Sequence, residues 1–250
     1  MTREVVAGRR PALEAVRSGR VAELIVARSA RPTPGLREVL DAAESAGVAT
    51  RRASDEEIEG LARGLRHQGV VALIEAPAEL GEADLARRDW GPRALVVVLD
   101  GVTDPQNLGA IARTTEAAGG SALVTRRHRA APITPAAIRA SAGALLHLPV
   151  ARVANVARAV GRLQEAGFWA VGLDGGAETS LADAEPSDRL ALVAGAEGEG
   201  LSRLVREACD ELVSIPLRGR VGSLNVSAAA AVAIFHFAMR QERGSPGKQE

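Results

Sequence analysis

Short apolar runs alternate with helically spaced apolar positions along most of this chain, which is the pattern of an α/β protein. VAELIVA (Val21–Ala27) predicts a strand, and GLREVLDAAESAG after Pro34 predicts a helix through Leu36, Val39, Leu40 and Ala43, closed by Gly47. VATRRA predicts the next strand. Ser54 with Glu57 three residues on matches a capping box that opens a short helix, and HQGVVALIEA (His67–Ala76) predicts a further strand. Residues 77–93 mix proline, glycine and charge without a strong period, which suits a linker with one turn of helix. A second series follows. ALVVVLD (Ala94–Asp100) is continuously apolar up to its last residue, as in a strand buried on both faces of a parallel sheet. SALVT (Ser121–Thr125), FWAVGLD (Phe168–Asp174), LALVAG (Leu190–Gly195) and LVSIPL (Leu212–Leu217) predict later strands, with NLGAIARTTEAAG and NVARAVGRLQEAG as helices between them. The division expected is 1–76, a linker 77–93, a second domain 94–243 and a disordered tail 244–250.

Composition narrows the class. The apolar fraction of 46% and charged fraction of 25% are those of a globular protein, and no run approaches the roughly 18 apolar residues of a membrane span. The start, MTREVVAGRR, lacks a signal peptide's apolar core, so a cytoplasmic location is expected. Cys209 is the single cysteine, which excludes a disulfide framework and a thiolate metal cluster; no metal is expected. Net charge is zero, so binding to nucleic acid by charge alone is disfavoured. Lys248 is the single lysine, however, and the other basic residues are arginines, which either reflect a GC-rich genome or serve phosphate and ribose contacts. Tyrosine is absent and Phe and Trp are few, so stacking of bases on aromatic platforms is not expected.

Chemistry concentrates in three loops, each following a predicted strand. In LDGVTDPQNLGAIAR, Asn107 sits at a helix start, as a cap or a site residue, and Arg113 lies within that helix. LVAGAEGEGLS carries Gly195, Gly198 and Gly200, but neither the dinucleotide nor the P-loop spacing. Glu197 and Glu199 stand where phosphates would go, so a ligand with a cationic or neutral part, such as a sulfonium, fits better, and a nucleotide-binding Rossmann enzyme is disfavoured. The third stretch is SIPLRGRVGSLNVSAAAAVAIF. Here Ile215, Leu217 and Leu224 would wall an apolar slot, Ser223 or Asn225 would cap a helix, and the alanines let another backbone approach closely.

Together the three loops resemble the motifs of the SpoU (TrmH-like) branch of the SPOUT RNA ribose 2′-O-methyltransferases. DPQNLGAIAR is similar to the first motif, GAEGEGLS to the second and IPLRGRVGSLNVSAA to the third. The N-terminal unit, with GRRPALEAV and HQGVVAL, resembles the ribosomal-protein-like RNA-binding extension of the 23S rRNA guanosine methyltransferases. The resemblance implies an α/β SPOUT domain, its sheet mostly parallel and its chain tied in a trefoil knot. It also implies S-adenosylmethionine as cofactor and a homodimer that completes the site. Gly195, Ile215, Leu217 and Leu224 would then line the cofactor pocket, and Asn107, Arg113, Glu197, Ser223 and Asn225 would form the catalytic site. Arg126, Arg127 and Arg129 in TRRHRA would touch RNA, or else form a solvated loop. Ribosomal RNA is the expected substrate because the shorter tRNA enzymes lack such an extension. The alternatives are a tRNA or resistance-type rRNA methyltransferase, or a non-catalytic RNA-binding protein.

Overall fold

The computed structural model describes residues 3–75, 79–185 and 187–243. The expected tail and the first residues of the expected linker lie outside them. The described chain forms two compact units.

The first unit is a four-stranded sheet built from β1 (Arg3–Ala7), β2 (Val21–Ala27), β3 (Thr50–Ala53) and β4 (Val70–Glu75) in the order β1-β4-β2-β3. β4 runs antiparallel to both neighbours, and β2 and β3 are parallel. Three helices join these strands: α1 (Arg9–Arg17), α2 (Pro34–Ser45) and α3 (Asp55–Ala62). Thr33 caps α2 through its side chain, with Pro34 in the first turn, and Ser54 caps α3 by accepting from the Glu57 N–H. Ile58 and Ala62 of α3 pack on Ile25 and Val71, while α1 packs against α2 and β4. β1 and α1 carry no pattern that the apolar periodicity singled out.

The second unit starts at Glu79, inside the expected linker, with β5 (Glu79–Leu80) and α4 (Glu82–Arg87). β6 (Ala94–Asp100), α5 (Pro105–Ala117) and β7 (Ala122–Arg126) follow. The chain then leaves this unit. Ile133–His147, with α6 (Pro135–Ala140) and one 3-10 turn, belongs to the first unit, where a Cβ on Gly143 would stand 2.5 Å from that of Glu14 and Arg20 donates to the Leu146 carbonyl at 2.9 Å. It returns with β8 (Val150–Val153), α7 (Val156–Glu165), β9 (Trp169–Leu173), β10 (Thr179–Ser180), β11 (Arg189–Gly195), α8 (Arg203–Ala208), β12 (Glu211–Ser214) and α9 (Val226–Arg243).

These strands form one parallel sheet in the order β10-β12-β9-β11-β6-β7-β8-β5. Every residue of β6 is buried, as its apolar run requires between β11 and β7. Val96, Val98 and Val193 pack with Val160 and Leu163 of α7 and Val205 of α8. α5 and α9 pack together and bury Leu108, Ile111, Ile234 and Phe237. Because all strands point one way, Asp100, Leu173, Gly195 and Ser214 end at the same edge, where open α/β sheets bind ligands. β12 is shorter than the run LVSIPL suggests. It stops at Ser214, since Pro216 has no N–H for the ladder, and Ile215–Leu217 leave the sheet.

Candidate active site

At that edge a cleft of about 370 Å³ opens, a size suited to a small organic ligand. The second and third loops from the sequence line it, with the end of β9, while the first loop reaches it only through the hydrogen bond of Asn107 to Glu197. Gly195, Ile215, Leu217 and Leu224 all line it, together with Glu197 and Ser223. Leu217 and Leu224 are 42% and 40% exposed, apolar surface that an apolar ligand group would cover.

The loop after β11 is closed by its own backbone. Ala196 and Gly200 exchange N–H···O=C bonds of 3.0 and 2.9 Å, and Gly198 and Gly200 take φ of 82° and 69°. Gly195 allows that closure, because a Cβ there would stand 2.1 Å from the Gly200 carbonyl carbon and 2.4 Å from the Leu201 nitrogen. No other residue fits at this position.

Three predicted polar residues meet in one chain of hydrogen bonds. The Asn225 Nδ2 donates to Asn107 Oδ1 at 3.1 Å, and Asn107 Nδ2 donates to Glu197 Oε2 at 3.4 Å. Asn107 is 9% exposed and is not the cap of α5; Asp104 fills that role by accepting from the Gln106 N–H at 2.9 Å. Asn225 combines two tasks, since its Oδ1 also accepts from the Ser227 N–H at 2.9 Å in the first turn of α9. Ser223 lies before that cap, on the cleft wall.

Arg113 is not brought to the cleft of its own chain. Six residues past Asn107, its direction from the helix axis differs by about 120°, and it is exposed on α5. Of the three arginines in the loop after β7, Arg126 departs from the expectation of a free RNA contact. Its guanidinium is ion-paired with Asp100, whose side chain is 1% exposed, while Arg127 and Arg129 are exposed. The Arg127 carbonyl accepts from Arg152 Nη2 at 2.7 Å.

Asp100 was missed as a site residue. Its second oxygen accepts from the Ser202 N–H at 2.8 Å, so one buried carboxylate ties the ends of β6, β7 and the glycine loop. Asp174 plays a similar part at the end of β9, pairing with Arg206 on the cleft wall and accepting from the Gly176 N–H at 2.8 Å. Both lie in a Leu-Asp that terminates an apolar run, a signal present in the sequence. Cys209 is no nucleophile: burial pushes its thiol up to about 12, and it donates to the Val205 carbonyl. Among the described residues no group of acidic, histidine and cysteine side chains could hold a metal.

This fold and site define a methyltransferase domain joined to a substrate-binding unit. Residues 94–235 match the SpoU rRNA Methylase family, and residues 5–80 match the RNA 2′-O ribose methyltransferase substrate-binding family. The chain belongs to the SpoU rRNA Methylase family, whose members are S-adenosylmethionine-dependent RNA 2′-O-methyltransferases. It is 44% identical over 214 residues to a 23S rRNA (guanosine-2′-O-)-methyltransferase of Ralstonia nicotianae, covering 85% of each chain. An uncharacterized tRNA/rRNA methyltransferase of Mycobacterium avium is 40% identical over 96% of this chain and 78% of its own length. Among solved structures it is similar to the SpoU methyltransferase AviRb of Streptomyces viridochromogenes in complex with AdoMet, with TM-score 0.78, 28% identity, and coverage of 96% and 91%.

The cleft fits that cofactor. Apolar Ile215, Leu217 and Leu224 suit a purine, the bare backbone at Gly195 admits a ligand close to the chain, and Glu197 and Glu199 supply negative charge beside a cationic group.

Proposed function

We propose that this protein methylates the ribose 2′-OH of a guanosine in 23S rRNA. The observation that carries the reading is the Asn225–Asn107–Glu197 chain, which joins all three loops and ends on Glu197 in the cleft wall. The guanosine and the rRNA come from the names of the relatives, and a cytoplasmic location follows from that substrate. When bound, the cofactor supplies a methyl group on a sulfonium. Gly195, Ile215, Leu217 and Leu224 would hold it, while Glu197 and Ser223 in the cleft wall, with Asn107 and Asn225 bonded behind Glu197, would orient the polar groups beside it. A ribose hydroxyl is a weak nucleophile, so holding it in line is the main task of these residues.

Arg113 belongs to the same machinery by way of a second copy. α9 exposes Val232 (48%), Phe235 (39%) and Met239 (50%) at helical spacing, an apolar stripe that a homodimer would cover, and α5 with Arg113 packs beside α9. In that dimer each Arg113 serves the other chain's cleft. Being permanently protonated, it grips a phosphate and positions the hydroxyl. The trefoil knot belongs to this reading too, as the fold that the family resemblance implies.

Arg113→Ala is expected to abolish methyl transfer to a 23S rRNA transcript in a tritiated-methyl assay, while calorimetry shows cofactor affinity within about threefold of the parent. Retained turnover overturns the role of Arg113. Methyl incorporation that maps to no rRNA guanosine overturns the substrate.

A further inference from the structure

The loop between β12 and α9 leaves the cleft wall and comes back to it. Leu217 lines the cleft, and so do Gly222, Ser223 and Leu224 further along, while residues 218–221 between them form an exposed crown at its rim. Gly219 and Gly222 take no positive φ, and a Cβ at either would meet nothing within 4 Å. The crown's own packing therefore does not call for glycine at these positions. What the glycines leave is bare backbone, open to whatever settles on the rim. Val221 beside them is 73% exposed.

Charge divides between wall and rim. Among the described residues, the wall carries the carboxylates of Asp174, Glu197 and Glu199 against one guanidinium, that of Arg206, which Asp174 already pairs. The rim carries Arg218 and Arg220, both exposed, and among the described residues neither has an ion-pair or hydrogen-bond partner. Other exposed arginines of the same unit are engaged, Arg203 with Glu207 at 2.7 Å and Arg162 with Glu165 at 2.7 Å. An acidic wall draws in a cation and repels phosphate. The polyanion that brings the target ribose must then be held above the wall rather than within it.

We propose that Arg218 and Arg220 clamp the phosphates flanking the target nucleotide and so set its 2′-OH over the cleft; the proposal rests on the RNA-methylating reading above. A ribose carries its 3′-phosphate on the carbon next to the one that bears the reacting hydroxyl, so a nucleotide placed at the cleft mouth brings phosphate to the rim. Guanidinium forks on either side of Gly219 suit neighbouring phosphates, which each fork grips by paired N–H bonds. RNA fits the crown better than a second protein chain does. Interfaces between proteins are centred on buried aromatic or aliphatic anchors, and the crown offers only Val221. Phosphate contacts fix register and carry no sequence information, so the crown positions the nucleotide and leaves its choice to other groups.

The test compares the full chain with Arg218→Ser/Arg220→Ser, with Arg218→Lys/Arg220→Lys, and with Arg203→Ser as a control that removes an arginine already paired. Fluorescence anisotropy reads affinity for a 23S rRNA transcript across a salt series, and tritiated-methyl initial rates read kcat/KM. The serine pair is expected to lower both about tenfold and the salt slope of binding by about 1.5, because two guanidiniums no longer neutralise phosphates. The lysine pair should restore the slope, since it keeps the charge, and Arg203→Ser should keep the parental values. Calorimetric affinity for S-adenosylmethionine and the sedimentation coefficient should not move in any variant. A parental slope in the serine pair overturns the proposal, and so does a lysine pair that behaves like the serine pair. Lost cofactor affinity also overturns it, making the arginines ligands of the cofactor's carboxylate, as does a shift to monomer, which would mark the crown as part of a protein interface. A parent that binds RNA through this crown yet methylates no rRNA guanosine leaves the crown standing and removes the proposed function instead.

Discussion

At the scale of single residues, Gly195 and Asp100 hold the cleft in shape. A methyl group at residue 195 would meet the backbone of Gly200 and Leu201 at 2.1–2.4 Å, with no flexible side chain to yield. Gly195→Ala must part the glycine loop from β11. We expect a loss of about 1–3 kcal/mol in denaturant midpoint measurements, the usual range for overpacking, and no detectable cofactor heat in calorimetry. Asp100 tests a different kind of contact. Its carboxylate carries both the Arg126 ion pair and the Ser202 N–H bond. Asp100→Ala should cost about 2 kcal/mol, because an acceptor of charged and backbone donors is removed from a buried position. Asp100→Asn keeps an acceptor for one of them and should recover part of that loss. Equal stability of the two variants would show that the acceptor role is unimportant.

At the scale of elements, legibility followed locality. β2 and β6 occupy the residues their apolar runs predict, and the caps at Thr33 and Ser54 form because sequence neighbours alone make them. β8 has four residues and α8 six, too short for periodicity to register. The placement of 133–147 in the first unit depends on contacts with residues more than a hundred positions away, such as Arg20 with Leu146, which no local pattern encodes. The site shows the same division. Motif resemblance supplied Asn107, Glu197 and Asn225, but the Asn–Asn–Glu chain and the anchoring of Arg126 by Asp100 became visible only once β6, β7 and β11 lay side by side. α9 offers the element-scale test. Its alanines give no side-chain bulk, so the stripe of Val232, Phe235 and Met239 is its main exposed apolar feature. Phe235→Glu places a charge in that stripe without touching the buried face. Sedimentation should then show a shift from dimer to monomer and methyl transfer should be lost, whereas an unchanged dimer would remove α9 from the interface.

For the whole molecule, His236 and Glu82, at two places on the second unit, should each make stability depend on pH. His236 on α9 has its pKa lowered, first by burial and then by Arg240, whose Nη1 lies 3.4 Å from His236 Nε2, while the Ala184 carbonyl acts in the opposite sense. The folded state therefore binds fewer protons at His236 than the unfolded chain, which titrates near 6.5. Stability should be greatest above that pH and fall as pH drops through it, because protonation then favours unfolding. Glu82 acts lower on the scale. Its hydrogen bond and ion pair with Arg158 hold the carboxyl below its ordinary 4.5, so its contribution is present above that value and lost as pH falls towards the folded pKa. Arg158 is largely solvent-exposed, so this second effect should be small and weakened by salt. A urea-denaturation series from pH 8 to 4 should thus decline first near neutrality and then again in the acid range. His236→Gln should flatten the first decline and leave the second, and Glu82→Gln should do the reverse. If His236→Gln leaves the profile between pH 7.5 and 5.5 unchanged, the packing of α9 does not disfavour the imidazolium, and another group governs the first step.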